Sequence, residues 1–411
     1  MTRLELLYDL VFVFAFLNVT ELLADELSVL GLEAGCVVLA LLWWCWSGFA
    51  ALGNLVRADT GVLPLIGIGI MSAVLVLALA TPRAFIDQSD DLPGPLVFAL
   101  TYLTIRALTI ATFWCVWNPA TRSRRDLWFL AVPATVAGGL VLAGALIPYF
   151  TVVGQRTEAL VRLGAWLLAL VVEYALGFLL PYAGWSLTSA GHWAERHAQI
   201  VLVALGESVI ALGLGPGQGN DLDLSGPVIG AAVLGIALVG TLWWLHFDSL
   251  AMAVEQAVHG TRDRVRVPLI RDVYTYLHLP LIIAIVFTAL GLKVLVTTVA
   301  GPRQHLHGDE IGVLYGAVTL FLLTEAAIVV RTFRRLRPSW LLAAGTLIAL
   351  AFAAAQMRAL AALGLLTGVC LLLAMIQRVT GRAARDRVRE SALREHEAEE
   401  TELSRWRRHH L

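Results

Sequence analysis

The sequence has 411 residues, of which 58% are hydrophobic and 15% charged, and its net charge is −1. Soluble globular proteins carry roughly 25% charged residues, so most of this chain is predicted to face lipid or protein rather than water. The lack of net positive charge argues against a nucleic-acid partner. Four cysteines lie in apolar runs without a C-x-x-C pair, which predicts core residues rather than disulfides or metal ligands: Cys36, Cys45, Cys115 and Cys370.

Twelve apolar runs approach the roughly 20 residues that a membrane-spanning helix needs. The first contains Glu5 and Asp9 and ends without a cleavage motif, so it is predicted to be a span rather than a signal peptide. We therefore predict an all-α, polytopic integral membrane protein of about twelve transmembrane helices, with a charged cytoplasmic tail at 381–411. The runs are 5–24, 32–53, 62–81, 94–117, 127–148, 159–182, 196–215, 225–246, 269–299, 311–331, 339–357 and 359–378.

The arginines of the connecting segments alternate between two sides of a membrane. When the N-terminus is placed inside, most of these arginines lie on the inner segments, as the positive-inside rule requires. With twelve spans, both termini are then predicted to be cytoplasmic. Lys293 is the only lysine, so arginine strongly outnumbers lysine. This preference resembles the codon bias of GC-rich bacteria and indicates a bacterial source, and hence the inner membrane. The inner segments contain Arg57, Arg122, Arg124, Arg125, Arg196, Arg262, Arg264, Arg266, Arg331, Arg334, Arg335 and Arg337, whereas the outer ones contain Arg83, Arg156, Arg303 and Arg358.

Three features recur in register in the two halves of the chain. The tryptophan pair that begins at Trp43 in span 2 matches the pair that begins at Trp243 in span 8, and arginine-rich segments follow spans 4 and 10. An acidic residue precedes each tryptophan pair by a similar distance, which makes Asp9 and Glu207 counterparts. Six spans is an even number, so the two units are predicted to be parallel repeats. Their predicted bounds are 1–182 and 183–380.

Two acidic residues share one face of the first span. Glu5 and Asp9 are four residues apart, and two carboxylates at that spacing repel unless a proton or cation lies between them. The pair is predicted to be a cation or proton site. The alternatives are a favourable helix terminus for Glu5 and a structural ion pair for Asp9.

The seventh span begins with the polar segment HWAER and contains GES further on. His192 and Glu195 are three residues apart, as are the Glu and His of the motif that two helices of a carboxylate-bundle metal site each contribute. Only one copy occurs in this sequence, in the reverse order, so metal binding is not favoured. Arg196 is predicted to lie at the mouth of the span, where charge costs little. It shares a face with Glu207 at a separation of about 16 Å along the axis, which is too far for contact.

Glu207 lies deep in this span, where a charged side chain is costly. It is therefore predicted to be paired with a residue of another helix, protonated or functional. Its small neighbours Gly206 and Ser208 are predicted to let another helix come close.

Spans 4 and 8 add two further candidate residues. Arg106 is the only clearly mid-span arginine and requires a carboxylate or carbonyl partner; Glu173, Glu207 and Asp9 are the candidates. Trp244, close to the end of span 8, is better explained as part of an interfacial aromatic belt.

Span 9 contains a histidine within the predicted membrane region. Arg271, Tyr274 and His278 are predicted to share one helix face, and Pro280 is predicted to free a backbone carbonyl. A buried histidine is suited to proton transfer, whereas the alternative is a hydrogen bond that joins two helices.

Three linked motifs resemble the bacterial low temperature requirement A (LtrA) family: RLELLYDLVFVFAF at 3–16, HWAERHAQIVLVALGES at 192–208 and YTYLHLPLIIAIVFTALG at 274–291. The resemblance extends from about 3 to 378. It implies a multi-pass membrane protein with a role in low-temperature growth and no established biochemical activity. It also implies a polar leader before the first motif, so a misplaced start codon or a missing N-terminal segment is expected. The motif positions are Glu5, Asp9, His192, Glu195, Arg196, Gly206, Glu207, Ser208 and His278.

We expect a transporter or permease-like protein that works by alternating access, with Asp9, Glu207 and His278 as proton-coupling or substrate groups. An integral membrane enzyme that performs acid–base chemistry on a lipophilic substrate and a non-catalytic membrane factor stay as alternatives. The expected partners are the lipid bilayer and an unidentified small-molecule or ion substrate. No cofactor, metal or nucleic acid is expected.

Overall fold

The computed structural model describes residues 2–24, 27–55, 61–86, 92–116, 124–150, 154–179, 189–213, 225–248, 250–261 and 263–382, with isolated positions of the tail. Within these ranges the chain is helical and contains no strand. The α-helices are α1 (Arg3–Ala24), α2 (Val29–Leu55), α3 (Leu63–Ala80), α4 (Gly94–Cys115), α5 (Arg124–Leu146), α6 (Gln155–Leu179), α7 (Ala190–Gly213), α8 (Gly226–Phe247), α9 (Leu250–His259), α10 (Asp263–Ile270), α11 (His278–Ala300), α12 (Gly308–Phe333), α13 (Pro338–Ala354) and α14 (Ala359–Thr380).

Eleven helical stretches of the described chain are long and apolar enough to cross a membrane. One of them joins α8 to α9, and another, Val265–Ala300, contains most of α10 and all of α11. The predicted all-helical, multi-pass membrane protein is thus confirmed. A twelfth apolar helix, α13, has 17 residues, about 26 Å at 1.5 Å per residue, against a hydrocarbon thickness of about 30 Å. The count of twelve crossings stays a prediction.

The position of the C-terminus tests this count. If α13 crosses the membrane, the crossings number twelve and both termini lie on the same side. We expect a C-terminal green fluorescent protein fusion to be fluorescent in bacterial cells and a C-terminal alkaline phosphatase fusion to be inactive, as for a cytoplasmic end. An active phosphatase fusion at the C-terminus, together with a cytoplasmic N-terminus, would contradict twelve crossings.

The helices α1, α7 and α11 form the centre of the bundle, because each packs against the other two. The two predicted repeats would therefore meet where α1 contacts α7. The repeat itself stays a prediction, and its tryptophan markers lie in different surroundings: Trp43 is 2% exposed and Trp243 is 46% exposed.

The predicted span 9 is not a regular α-helix. A π-helical segment, Arg271–Leu277, joins α10 to α11, and such segments are frequent at functional sites. Pro280 has no N–H to donate, so a carbonyl oxygen in the preceding turn loses its helical partner. The Thr275 carbonyl accepts a hydrogen bond from Trp43 Nε1 at 2.8 Å, and the Val273 carbonyl contacts His278 Nδ1 at 2.9 Å. The segment thus exposes carbonyls to side chains.

The π-helical segment also changes the predicted helix face. Tyr274 and His278 do lie together, with their ring centroids 5.2 Å apart. Arg271 instead donates to the Phe178 carbonyl at 3.0 Å and to the Asp272 carboxylate at 2.8 Å. The prediction that all three share one face is therefore wrong for Arg271, because a π-helix has a longer hydrogen-bonded turn than an α-helix.

The prediction of four core cysteines holds in part. Cys45 and Cys370 are buried and Cys36 is partly buried, but Cys115 is exposed. It is the last residue of α4, where the helix end has fewer neighbours to cover it.

Close packing between α11 and α12 predicts a destabilising glycine substitution. A Cβ atom on Gly291 would lie 2.8 Å from Leu314 Cβ and 2.9 Å from Leu314 Cα. Because backbone cannot yield cheaply, Gly291→Ala is expected to lower the free energy of unfolding by about 1–3 kcal/mol, measured by thermal denaturation in detergent. Gly312→Ala on α12 is the control, since its Cβ would meet nothing within 4 Å. Equal melting temperatures of the two variants would contradict this packing.

Candidate functional site

Three side-chain pairs join α1 to α7, and in each pair the second residue follows the first by 187 positions. A constant offset of this kind is the pattern of two parallel helices in register, since antiparallel helices would give a constant sum instead. We call this set the α1–α7 ladder: Glu5 with His192, Asp9 with Arg196, and Thr20 with Glu207.

The first pair of the ladder lies at the start of both helices. His192 Nε2 is 3.1 Å from Glu5 Oε1. Glu5 also accepts the Thr2 N–H at 2.6 Å, while Thr2 Oγ1 accepts the Glu5 N–H at 3.3 Å. This reciprocal pattern is a capping box. The helix-terminus alternative for Glu5 therefore has a structural basis, because its carboxylate caps the start of α1, while the predicted cation or proton site stays a prediction.

The second pair is fully buried. Arg196 Nη2 donates to Asp9 Oδ1 at 2.9 Å, Trp46 Nε1 donates to the same oxygen at 2.8 Å, and both charged side chains are 0% exposed. The Arg196 guanidinium also lies 5.6 Å from the centre of the Trp46 ring. The predicted position of Arg196 at an exposed mouth is thus wrong. The helix begins at Ala190, six residues before the predicted span, and Arg196 turns into the bundle whereas Glu195 stays exposed.

Several polar atoms of this second pair lack partners. Asp9 Oδ2, Arg196 Nε and Arg196 Nη1 are buried without a hydrogen bond to the described residues. Leaving such atoms unsatisfied costs about 1–3 kcal/mol each, and more for charged groups. The observed arrangement therefore leaves hydrogen-bonding capacity unused at the junction of α1 and α7.

The third pair contains the carboxylate that the sequence places at depth. Glu207 is 0% exposed, and its Oε1 accepts a hydrogen bond from Thr20 Oγ1 at 3.2 Å. Its Oε2 has no partner among the described residues. The predicted need for a partner from another helix is met by a hydroxyl rather than a charge. Nearby, Lys293 of α11 contacts Glu21 of α1 at 2.5 Å.

The small residues beside Glu207 have different surroundings. Ser208 is buried, and its Oγ lies 3.4 Å from the Ile285 carbonyl of α11. A Cβ on Gly206 would meet nothing within 4 Å. Close approach of another helix therefore occurs at Ser208, and the prediction for Gly206 is wrong because that residue points away from the contact.

Arg106 pairs with Glu173 among its three predicted candidates. Arg106 Nη2 donates to Glu173 Oε1 at 2.6 Å, and Tyr102 Oη donates to Oε2 at 2.8 Å. These residues join α4 to α6 within the first half of the bundle. They thus form a separate buried network from the α1–α7 ladder.

A chain of aromatic and histidine rings leads from the second pair to another part of the bundle. The Trp46 ring lies 4.8 Å from the His197 ring, and His197 lies 5.2 Å from His278. His278 in turn lies 5.9 Å from His246, whose Nδ1 is 2.7 Å from Glu325 Oε1. The ring contacts therefore connect α2, α7, α11 and α8, and the contact of His246 with Glu325 extends the chain to α12.

The histidine end of this chain lies against a cavity of 870 Å³, which we call the histidine cavity. It lies between the first turns of α7, the end of α8, α9, the π-helical segment and α12. This is the end of the bundle at which α1, α7 and α11 begin. Its polar lining residues are Ser189, His192, Glu195, His246, Glu255, Gln256, His259, Tyr274 and His278.

The site residues predicted from sequence lie in several separate places. The ladder contains Glu5, Asp9, Arg196 and Glu207, and His192 belongs to both the ladder and the histidine cavity. Glu195 and His278 line that cavity. Arg106 lies in its separate network, and Trp244 lines another pocket. Within the described ranges, no group of three metal-ligating side chains is arranged for an ion.

Three contributors to the site do not follow from the sequence patterns described above. Trp46 and His197 lie close in sequence to Trp44 and Arg196, but a helix periodicity does not show which neighbour turns inward. The third is helix α9, although its buried residues follow one face at a spacing of four: Leu250, Val254 and Val258.

Comparison with known proteins gives a family and a relative. Residues 1–375 match the family described as bacterial low temperature requirement A protein (LtrA). The chain is also similar to the uncharacterized protein RA0937 of Rhizobium meliloti (strain 1021), with 29% identity over 303 residues. That alignment covers 70% of this chain and 67% of the relative.

Proposed function

The chain belongs to the bacterial low temperature requirement A family, and we propose that it is a proton-coupled transporter of the inner membrane that works by alternating access. The histidine cavity is the solute site in a conformation open to one side, the side that the arginine distribution makes cytoplasmic. The observation that carries the proposal is this cavity of 870 Å³ among apolar helices, lined by four histidines and two glutamates.

The size and lining of the cavity suit a small polar solute. Small-molecule sites are commonly about 300–1,000 Å³ and combine apolar walls with a few polar groups. In this cavity Leu250, Val254 and Phe247 supply apolar wall, while His246, His278 and Tyr274 supply polar groups. Ionisable residues at membrane depth are costly and mark substrate or proton pathways.

Contacts between the histidine cavity and the α1–α7 ladder couple solute binding to the buried charges of the ladder. His278 lines the cavity and touches His197, which packs on Trp46, and Trp46 donates to Asp9. A solute or proton that shifts His278 therefore acts on the Asp9–Arg196 pair through adjacent side chains. Such contiguous contacts can carry coupling when an element has two arrangements.

The junction of α1 and α7 is the element that we propose to move. Its buried atoms without partners in the described chain, on Asp9, Arg196 and Glu207, cost free energy in the observed conformation. A second conformation that satisfies them, or protonation of Glu207, offsets this cost. Transporters commonly place their sites at the interface between internal repeats, and the two predicted repeats would meet at this junction.

The test measures flux in proteoliposomes that contain the purified full chain and a trapped pH-sensitive dye. An imposed pH gradient is combined in turn with histidine, succinate, choline and uridine as chemically distinct solutes. We expect at least one of them to be accumulated with proton movement, and Glu207→Gln to abolish the coupling. Glu33→Gln, an exposed carboxylate on α2, is the control and should leave flux unchanged.

Unchanged flux and pH dependence in Glu207→Gln would contradict the coupling role. A second measurement concerns access: Ser208 is buried against α11. In a background in which the native cysteines are replaced, Ser208→Cys should react with an impermeant maleimide from the side opposite the histidine cavity. Failure to react from that side under every gradient would contradict alternating access.

An integral membrane enzyme is the second candidate, because the same cavity brings four histidines and two glutamates together. Histidines and carboxylates that face a common cavity suit acid–base catalysis. Mass spectrometry of the solutes in the same liposomes separates the two functions: a transporter returns the solute unchanged, and an enzyme converts it.

A further inference from the structure

A second pocket of 410 Å³ lies at the same end of the bundle as the histidine cavity. The last turns of α8, α12 and α14 and the first turn of α13 surround it. Three arginines line it, Arg335, Arg337 and Arg378, against one acidic residue, Asp248. The pocket is therefore basic, although the whole chain has a net charge of −1.

Neighbouring side chains hold two of these arginines in place. Arg337 Nη1 donates to Gln377 Oε1 at 3.1 Å, and Gln377 Nε2 donates to Ser339 Oγ at 2.9 Å. The Arg378 guanidinium lies 5.1 Å from the centre of the Trp244 ring, a favourable cation–π distance. These contacts restrict the guanidinium groups of Arg337 and Arg378 before any ligand binds, which lowers the entropy cost of binding.

The rest of the pocket combines apolar walls with a spare donor. Leu245, Val329, Phe333 and Ala374 are among its lining residues. Trp340 also lines it and is 3% exposed, yet its indole N–H has no acceptor within the described chain. A buried N–H of this kind is expected to have a partner. The pocket therefore suits a ligand that joins acceptor oxygens to an apolar part.

We propose that this pocket binds the headgroup phosphate of an anionic phospholipid, with the adjoining acyl chain against the apolar walls. Arginine matches phosphate oxygens in geometry. Basic pockets between transmembrane helices near a membrane surface are suited to anionic lipid headgroups. The helix ends place the arginines at headgroup depth. A free phosphate would use the guanidinium groups but leave the apolar walls exposed.

The test uses the full chain in detergent, with phosphatidylglycerol, phosphatidylcholine and inorganic phosphate as separate additions. Native mass spectrometry measures retained lipid, and thermal denaturation measures stabilisation. We expect phosphatidylglycerol to bind and stabilise the protein. Arg337→Gln and Arg378→Gln should each weaken its binding about fivefold, from about 1 kcal/mol per arginine near a membrane surface.

Arg358→Gln is the matched control, because Arg358 is exposed at the opposite end of α14; it should retain phosphatidylglycerol as the unmodified chain does. Three results would overturn the proposal. They are equal retention of phosphatidylcholine, full stabilisation by inorganic phosphate alone, and unchanged phosphatidylglycerol binding in both pocket variants. The test is independent of transport, since it needs no solute flux.

Discussion

Replacement of Arg196 by leucine is expected to lower the free energy of unfolding by about 3–5 kcal/mol, because it leaves the Asp9 carboxylate buried without its cation. Both side chains are 0% exposed, so solvent does not screen the remaining charge. Asp9→Leu should be destabilising to a similar extent for the converse reason. Reversible unfolding in mixed detergent, followed by circular dichroism, measures the change.

The double variant Asp9→Leu/Arg196→Leu distinguishes charge from packing. Replacing a buried ion pair by apolar residues is often neutral or stabilising, so the double variant should be more stable than either single variant. Glu390→Gln removes the carboxylate of an exposed pair with Arg394 and serves as the control, with no measurable change expected. Additive losses in the double variant would show that the two residues act independently.

The Arg106–Glu173 network predicts the second large effect. Glu173→Gln leaves the buried Arg106 guanidinium without a carboxylate, and the expected loss is again about 3–5 kcal/mol. Tyr102→Phe is the matched comparison, since it removes one hydrogen bond to the same carboxylate at 2.8 Å and should cost about 1.5–3 kcal/mol. The same unfolding measurement compares them.

A loss in Glu173→Gln no larger than in Tyr102→Phe would contradict the ion pair as the dominant interaction. Glu173→Gln is also informative about function. Because this network joins α4 to α6 and is separate from the α1–α7 ladder, folded Glu173→Gln protein should retain whatever proton coupling the unmodified chain shows.

The predicted spans agree with the observed helices because membrane insertion depends on local composition. A run of apolar residues must satisfy its own backbone hydrogen bonds, and a helix does this within the run. Each of the twelve predicted runs therefore overlaps an observed helix. The exact ends were less predictable: α7 begins at Ala190 rather than near 196, and this difference moved Arg196 from an expected mouth into the core.

The partners of the buried charges depend on tertiary packing and not on local sequence patterns. Arg106 had three candidate carboxylates, and helix periodicity gave each the same standing. Only the tertiary structure, which brings Arg106 of α4 to Glu173 of α6, selects this partner. Likewise, Asp9 and Arg196 are 187 residues apart, and no local pattern connects them.

The sequence alone determined that the chain is a helical membrane protein of this family and that a few charged residues lie among its apolar spans, because hydropathy, charge and motif spacing are local properties. The tertiary structure decided that α1 and α7 run in parallel, that Asp9 pairs with Arg196 and that four histidines surround one cavity. These features depend on how helices far apart in sequence pack together. A helix's periodicity defines the face that it buries, but not the helix that covers it.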